Sequence, residues 1–235
     1  MRNDPPKRNK RKRSNIGTEN ESSLHRSLKY CYAKKGATET ARAGFVCDAI
    51  GAGGEAVEIQ TGNFSSLKNK IPALVKNGKV RLVYPVIVNK TIELYNTRGK
   101  LLLRKRSPRK GKIWDIFKQL IYVPLFVRTR GLIIELIFVD AIERRRDDGK
   151  GSWRRKGISI TDKILENRRD GIVLKKKADW LKYFLPLKGE CSAKSLAKAA
   201  SIGYVTARKT LYTFEKAGFI LKIRKEGRSW IYKII

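Results

Sequence analysis

The sequence is short of several residue types and patterns, and each shortage removes a class of function. It has one histidine, His25, and three scattered cysteines, Cys31, Cys47 and Cys191. Zinc fingers need clusters of both residue types, and a nuclease that uses histidine as base and as metal ligand normally needs more than one. An odd, widely spaced set of cysteines is not a disulfide framework, which suits a reducing cytosol. No apolar run approaches the roughly 18 to 20 residues of a spanning helix. The best stretch, Gly131 to Ile142, carries Glu135 and Asp140. The basic N-terminal segment leads into no apolar stretch, so it does not read as a secretory signal, and no lipidation motif is present. No membrane partner is expected. A GxxxxGK(S/T) loop is missing, and the GAGG at Gly51 to Gly54 runs into Glu55 rather than a dinucleotide-binding pattern. It reads as a hairpin turn, and no nucleotide cofactor is expected.

Acid is scarce as well. There are 21 Asp+Glu against 54 Lys+Arg, a formal net charge of +33. Such an excess calls for a polyanionic partner, nucleic acid first and anionic membrane second. At 41% apolar the chain can still bury a core. Its length suits one large domain or two small ones.

Periodicity and turn residues organise the chain. Residues 1–18, polar with Pro5-Pro6 and a Lys/Arg cluster from Lys7 to Arg13, read as a disordered basic arm. A helix begins near Asn20, with Glu21, Leu24, Leu28 and Cys31–Tyr32 at spacings of three and four, and ends at Gly36. Residues 42–50 and Glu55 to Thr61 read as strands across the Gly-rich turn. A helix over Phe64 to Lys76 follows, then the apolar strand Lys79 to Val88. Thr91 to Asn96 and Lys100 to Lys105 read as a hairpin, Ile113 to Val123 as a helix and Leu132 to Ile142 as a strand. Residues 143–177 are too charge-dense for periodicity to resolve. From Glu190 the pattern becomes helix (from Ser192), turn at Ile202-Gly203, helix (Thr206 to Ala217) and an alternating hairpin about Glu226-Gly227. That order is a winged-helix pattern.

Chemistry concentrates in the first half. Glu21 lies on the first helix, Asp48 ends the first strand, and Glu58 and Gln60 lie two apart on the next, on one face. A hairpin separation sets Asp48 beside Glu58. Two adjacent carboxylates repel unless something positive lies between them, and a divalent cation with oxygen ligands, Mg²⁺ or Mn²⁺, is the natural candidate. His25, one turn beyond Glu21, either faces this site or, more simply, is an ordinary surface or half-buried histidine.

The stretch from Asp48 to Glu58-Ile59-Gln60, with a helix bearing Glu21 before it and a helix and the strand VRLVYP after it, resembles the PD-(D/E)XK nuclease superfamily of resolvases and restriction endonucleases. It also resembles a prokaryotic family built on this core. The resemblance covers roughly residues 20–90. It implies an α/β (α+β) fold, a restriction-endonuclease-like mixed sheet flanked by helices, over residues 19–178, with a small winged-helix domain over 179–235. It implies that Asp48, Glu58, the Ile59 carbonyl and Glu21 hold the metal, and that Gln60 stands where the family usually has lysine. Glutamine can orient a water but carries no charge, so Lys68 in the next helix is the candidate to supply it. The expected function is Mg²⁺-dependent hydrolysis of DNA phosphodiesters in the cytoplasm, at the nucleoid. A non-catalytic DNA-binding protein is the alternative, and homodimerisation is compatible with either.

DNA contacts are expected from Thr206, Arg208 and Lys209 at the start of the recognition helix, and from Arg224, Lys225 and Arg228 on the wing. Arg104, Lys105, Arg106, Arg109 and Lys110 make a second phosphate-contacting patch. Arg154 and Arg155 flank Trp153, which either stacks on a base or, more simply, is partly buried.

Overall fold

The computed structural model describes residues 21–186 and 189–235; the expected N-terminal arm, residues 1–18, lies outside them. The fold is the α/β class read from the sequence: a seven-stranded mixed sheet flanked by helices, with a second sheet of three strands. Helix α1 (Ser23–Tyr32) opens where the Ser22 side chain accepts the His25 N–H. Strands β1 (Thr38–Arg42), β2 (Phe45–Ile50) and β3 (Ala56–Ile59) form an antiparallel meander. The expected strand over 42–50 is thus two strands that turn at Ala43-Gly44, where both residues take positive φ.

The expected helix over Phe64–Lys76 is a 3₁₀ turn (Phe64–Leu67) followed by a short helix, α2 (Lys70–Lys76), whose third residue is Pro72. Proline has no N–H to donate, so it is tolerated in a first helical turn rather than deep within a long helix. Strand β4 (Val80–Tyr95) is far longer than expected and absorbs the first arm of the predicted hairpin, with β5 (Leu101–Arg106) as the other arm. Pro85 sits inside β4 without harm. It lies beyond Val83, the last residue paired with β3, and before Thr91, the first paired with β5. In that gap the missing N–H leaves no ladder bond broken.

A 3₁₀ turn and α3 (Phe117–Leu120) lead to β6 (Leu132–Asp147) and β7 (Ile158–Leu174). The charge-dense region that periodicity could not resolve is therefore mostly a long antiparallel pair. The strand order is β1-β2-β3-β4-β6-β7 with β5 on β4; β3 runs parallel to β4, and β4 to β6.

Then come α4 (Lys177–Phe184), β8 (Glu190–Ser192), α5 (Ala193–Ala199), α6 (Tyr204–Lys216), β9 (Ile220–Glu226) and β10 (Ser229–Ile234). Ser192 caps α5 through the Ser195 N–H, as the start read at Ser192 requires. The small sheet runs β8-β10-β9.

Two apolar layers sandwich the large sheet. On one side Leu24 and Leu28 of α1 pack on Ala49, Val57, Ile59, Val83, Ile137 and Val139. On the other a larger core joins α2 and α3 to the C-terminal helices. Phe117 of α3 meets Phe184 at 5.0 Å, Phe214 at 5.5 Å and Trp180 at 6.3 Å between ring centroids. The boundary read at 178/179 consequently falls within one continuous core, and α4 belongs to both sides of it.

Candidate functional site

The site is built where the β2–β3 pair meets the start of α1. The ladder pairs Ala49 with Val57 and Ile50 with Ala56 and ends one residue short of Asp48 and Glu58; Asp48 is held by His25 and Lys29 of α1, and Glu58 by Lys70 of α2. Asp48 Oδ2 accepts the Ile59 N–H at 2.7 Å. His25 and Lys29 of α1 lie one turn apart and converge on Glu21, which was expected on this helix but precedes its Ser22 cap. His25 Nδ1 bonds Glu21 Oε1, while Nε2 reaches the Ile59 carbonyl at 2.7 Å and Asp48 Oδ2 at 3.3 Å. Both ring nitrogens face acceptors, so the doubly protonated ring satisfies the arrangement best. Burial opposes the charge on His25, but Asp48 and then Glu21 outweigh it and raise its pKa. Lys29 Nζ lies 2.9 Å from Glu21, 3.2 Å from Glu39 and 3.7 Å from Asp48.

Burial works against ionised Asp48 and Glu21 also, yet both are held below the ordinary carboxylate range. His25 and the Ile59 N–H do this for Asp48, and Lys29 with His25 for Glu21. Glu58 differs. Its carboxyl is buried, and desolvation pushes its pKa up to about 7, against the attraction of Lys70. Lys70 Nζ lies 2.6 Å from Glu58 Oε2 and donates to the Val46 carbonyl at 2.6 Å. Glu58 Oε1 is buried with no hydrogen-bond partner among the described residues.

The expected site residues are therefore gathered unevenly. Asp48, the Ile59 carbonyl and Glu21 meet around His25, while the Glu58 carboxylate is held apart by Lys70. Gln60 turns its amide nitrogen to the Gly62 and Asn63 carbonyls, which ties down the loop after β3. Lys68 is exposed between the 3₁₀ turn and α2, and the lysine that reaches a carboxylate from this segment is Lys70. His25 is no ordinary surface histidine but the hub of the cluster. The repeat of Glu21, His25 and Lys29 every fourth residue was the available signal for it; nothing local marked Lys70.

Among the described residues no group of three or more His, Cys, Asp or Glu side chains stands ready to close on one metal ion. Cationic side chains hold the carboxylates instead. The donors nonetheless include oxygens that suit a hard cation: the Asp48 carboxylate, the Ile59 carbonyl that shares His25 with it, and in Glu58 Oε1 a buried oxygen left without a partner among the described residues. Asp48, Glu58 and Ile59 O would hold such an ion, with His25 giving up two of those atoms to it.

The cluster opens into a cleft of about 550 Å³ that is also lined by Thr61 and, from β7, Ile160, Asp162 and Lys163. Thr61 and Lys163 are shared with a second cleft, of about 290 Å³, over the Pro85 gap, where Lys90, Arg109 and Lys118 add positive charge. Lys90 is shared in turn with a third, of about 550 Å³, holding Arg104, Lys105, Arg106, Lys110 and Arg169. The clefts adjoin through these shared residues to form a trench, and Asp162, Asp115, Glu143, Asp140 and Glu166 line it beside the basic side chains.

On α6, Arg208 and Lys209 edge a shallow pocket with Tyr122 and Tyr212, while Thr206 lies in the first turn, its carbonyl accepting the Thr210 hydroxyl at 3.0 Å. On the β9–β10 hairpin, Lys225 lies over the Trp230 ring and Arg228 is exposed. Arg224 is tied to Glu190 at 2.6 Å and Glu226 at 2.8 Å, so much of its charge is already spent. Arg154 and Arg155 are in the β6–β7 turn. Trp153 beside them is not partly buried: it is 82% exposed.

Comparison with known proteins adds a family. The model described as Domain of unknown function (DUF8091) matches residues 22–175, from α1 to the end of β7. The chain belongs to the DUF8091 family. An "Uncharacterized protein" of Treponema pallidum (strain Nichols) is 29% identical over 153 residues, which cover 64% of this chain and 61% of that protein. No solved structure gives a match. The matched DUF8091 region contains His25, Lys29, Asp48, Glu58 and Lys70 and begins one residue after Glu21; α4 to β10 lie beyond it. Among the described residues no helix is long and apolar enough to cross a membrane.

Proposed function

We propose that this DUF8091 protein is a Mg²⁺-dependent nuclease of the PD-(D/E)XK kind that cleaves DNA, working in the cytoplasm at the nucleoid. The observation that carries the reading is the gathering of Glu21, Asp48 and the Ile59 carbonyl about His25, in a cleft that adjoins basic ones. The element order supports it: α1, a three-stranded antiparallel meander, α2, then β4 parallel to β3. This is the arrangement that the superfamily resemblance implies.

A bound Mg²⁺ would supply Lewis acidity and acidify a water beside the phosphodiester. The chain's own groups bind and orient. Lys163, Lys90 and Arg109 attract the backbone along the trench. Lys29 and the His25 imidazolium place positive charge where a phosphate oxygen would gain it, in the absence of lysine at position 60. Lys70 opposes, without overcoming, the burial that raises the Glu58 pKa to about 7. Helix α6 and the β9–β10 hairpin offer a helix and a basic hairpin for the same duplex, in winged-helix fashion. Cutting both strands would require a second copy.

The test is nicking of supercoiled plasmid with Mg²⁺ or Mn²⁺ by wild type, Asp48→Ala and Glu58→Ala. Nicking by the wild type that both substitutions abolish is expected. Equal nicking by all three would refute the assignment. A second reading, DNA binding without catalysis, draws on the pairing of Asp48, Glu21 and Glu58 with cationic side chains and on the turned-away Gln60 amide. It predicts DNA affinity with no nicking under any metal.

A further inference from the structure

Trp153, at the tip of the β6–β7 pair, is the most exposed large apolar side chain among the described residues, at 82%. The turn that carries it is ordered. The Gly151 N–H donates to the Gly157 carbonyl at 2.7 Å, and the Lys156 N–H to the Trp153 carbonyl at 2.9 Å. Asp148 accepts the Lys150 N–H at 3.0 Å and the Ser159 hydroxyl at 2.8 Å. A Cβ at Gly151 would stand 1.8 Å from the Ile158 carbonyl oxygen, so only glycine fits there. Trp114 and Trp180 are buried in the core, as bulky apolar rings usually are. A stiff turn that holds an indole in water forgoes that gain.

The surroundings indicate what would cover it. The Arg154 guanidinium lies over the ring, 5.4 Å from its centroid, which orients the ring and leaves a face for another flat group. Lys150, Arg155 and Lys156 share the turn. The turn ends where β7 begins at Ile158, only two residues, about 7 Å of strand, from Ile160 in the wall of the carboxylate cleft. Bases of a duplex already stack on one another; an unpaired base has a free face.

We propose that the β6–β7 tip is a nucleobase-stacking site for single-stranded nucleic acid, in which Trp153 takes an unpaired base and the neighbouring basic side chains hold its phosphates. The proposal rests on the nucleic-acid reading above and narrows the substrate to DNA with an unpaired stretch beside the cleft.

Fluorescence anisotropy with a short labelled oligothymidylate and a duplex of equal length tests it. Trp153→Ala weakens oligothymidylate binding about tenfold, the range of one base–aromatic stack, with a far smaller effect on duplex. Trp153→Phe recovers part of the loss. Tyr30→Ala, which removes a 64% exposed ring from α1, changes neither affinity. Oligothymidylate quenches wild-type tryptophan emission, and the quench is lost in Trp153→Phe. Equal oligothymidylate affinity in wild type and Trp153→Ala overturns the stacking site while duplex binding, and with it the nucleic-acid reading, stands. Absence of any nucleic-acid binding by the wild type overturns both. A blue shift on phosphatidylserine vesicles without response to oligothymidylate overturns the proposal in favour of a lipid surface.

Discussion

Replacing Glu58 with glutamine should stabilise the metal-free protein at alkaline pH and do little at acid pH. The carboxyl titrates near 7 in the folded protein against an ordinary value of 4.5, because burial disfavours its charge more than Lys70 repays. A folded pKa above the unfolded one means that the native state holds the proton more tightly. The contribution to stability is complete below about pH 4.5 and is lost as pH rises through 7. Well above 7 the loss amounts to about 3 kcal/mol by linkage. Glu58→Gln removes that loss but leaves Lys70, whose side chain is 17% exposed, without its carboxylate. A net gain of about 1 to 3 kcal/mol at pH 8 is expected, with near equality at pH 4.5. Urea unfolding of both proteins in chelator at the two pH values reads this directly. Lys70→Met is the opposing control and should destabilise chiefly above pH 7, since it strips the cation from a buried carboxylate. A Glu58→Gln protein less stable than wild type by the same amount at both pH values would refute the account of Glu58 as a strained acid.

Two further outcomes follow from the fold and the charge. Phe117→Ala should cost about 3 to 5 kcal/mol, and unfolding should stay a single transition, because that ring joins α3 to α4 and α6; two transitions of which only one shifts in differential scanning calorimetry would mean that the C-terminal part folds apart. If about six phosphates are neutralised along the trench, the logarithm of the DNA association constant should fall against log salt with a slope near −5, and a slope near zero in an anisotropy titration would show that the charge serves another purpose.

Read as a chain, the sequence was sufficient for what local periodicity encodes. The spacing of Leu24 and Leu28, the cap at Ser192 and the apolar runs place α1, α5, β3 and the first parts of β4 and β6. These follow from side-chain spacing and backbone hydrogen bonding within a few residues. The β2–β3 hairpin was legible too, because a tight turn leaves few registers. The β6–β7 pair was not. Its outward faces are charged, so alternation of apolar with polar residues fades and pairing with a distant partner decides the structure.

Tertiary structure alone decided which cations meet the carboxylates. Lys68 and Lys70 look equivalent in the chain, but the break between the 3₁₀ turn and α2 leaves one in solvent and lays the other on Glu58. It also made His25 a hub, because α1 crosses β2 and β3 where the Ile59 carbonyl and Asp48 are uncovered. Burial and the distance between segments remote in sequence set the charge of a buried acid and the exposure of a tryptophan. Both quantities arise only once the whole chain has packed.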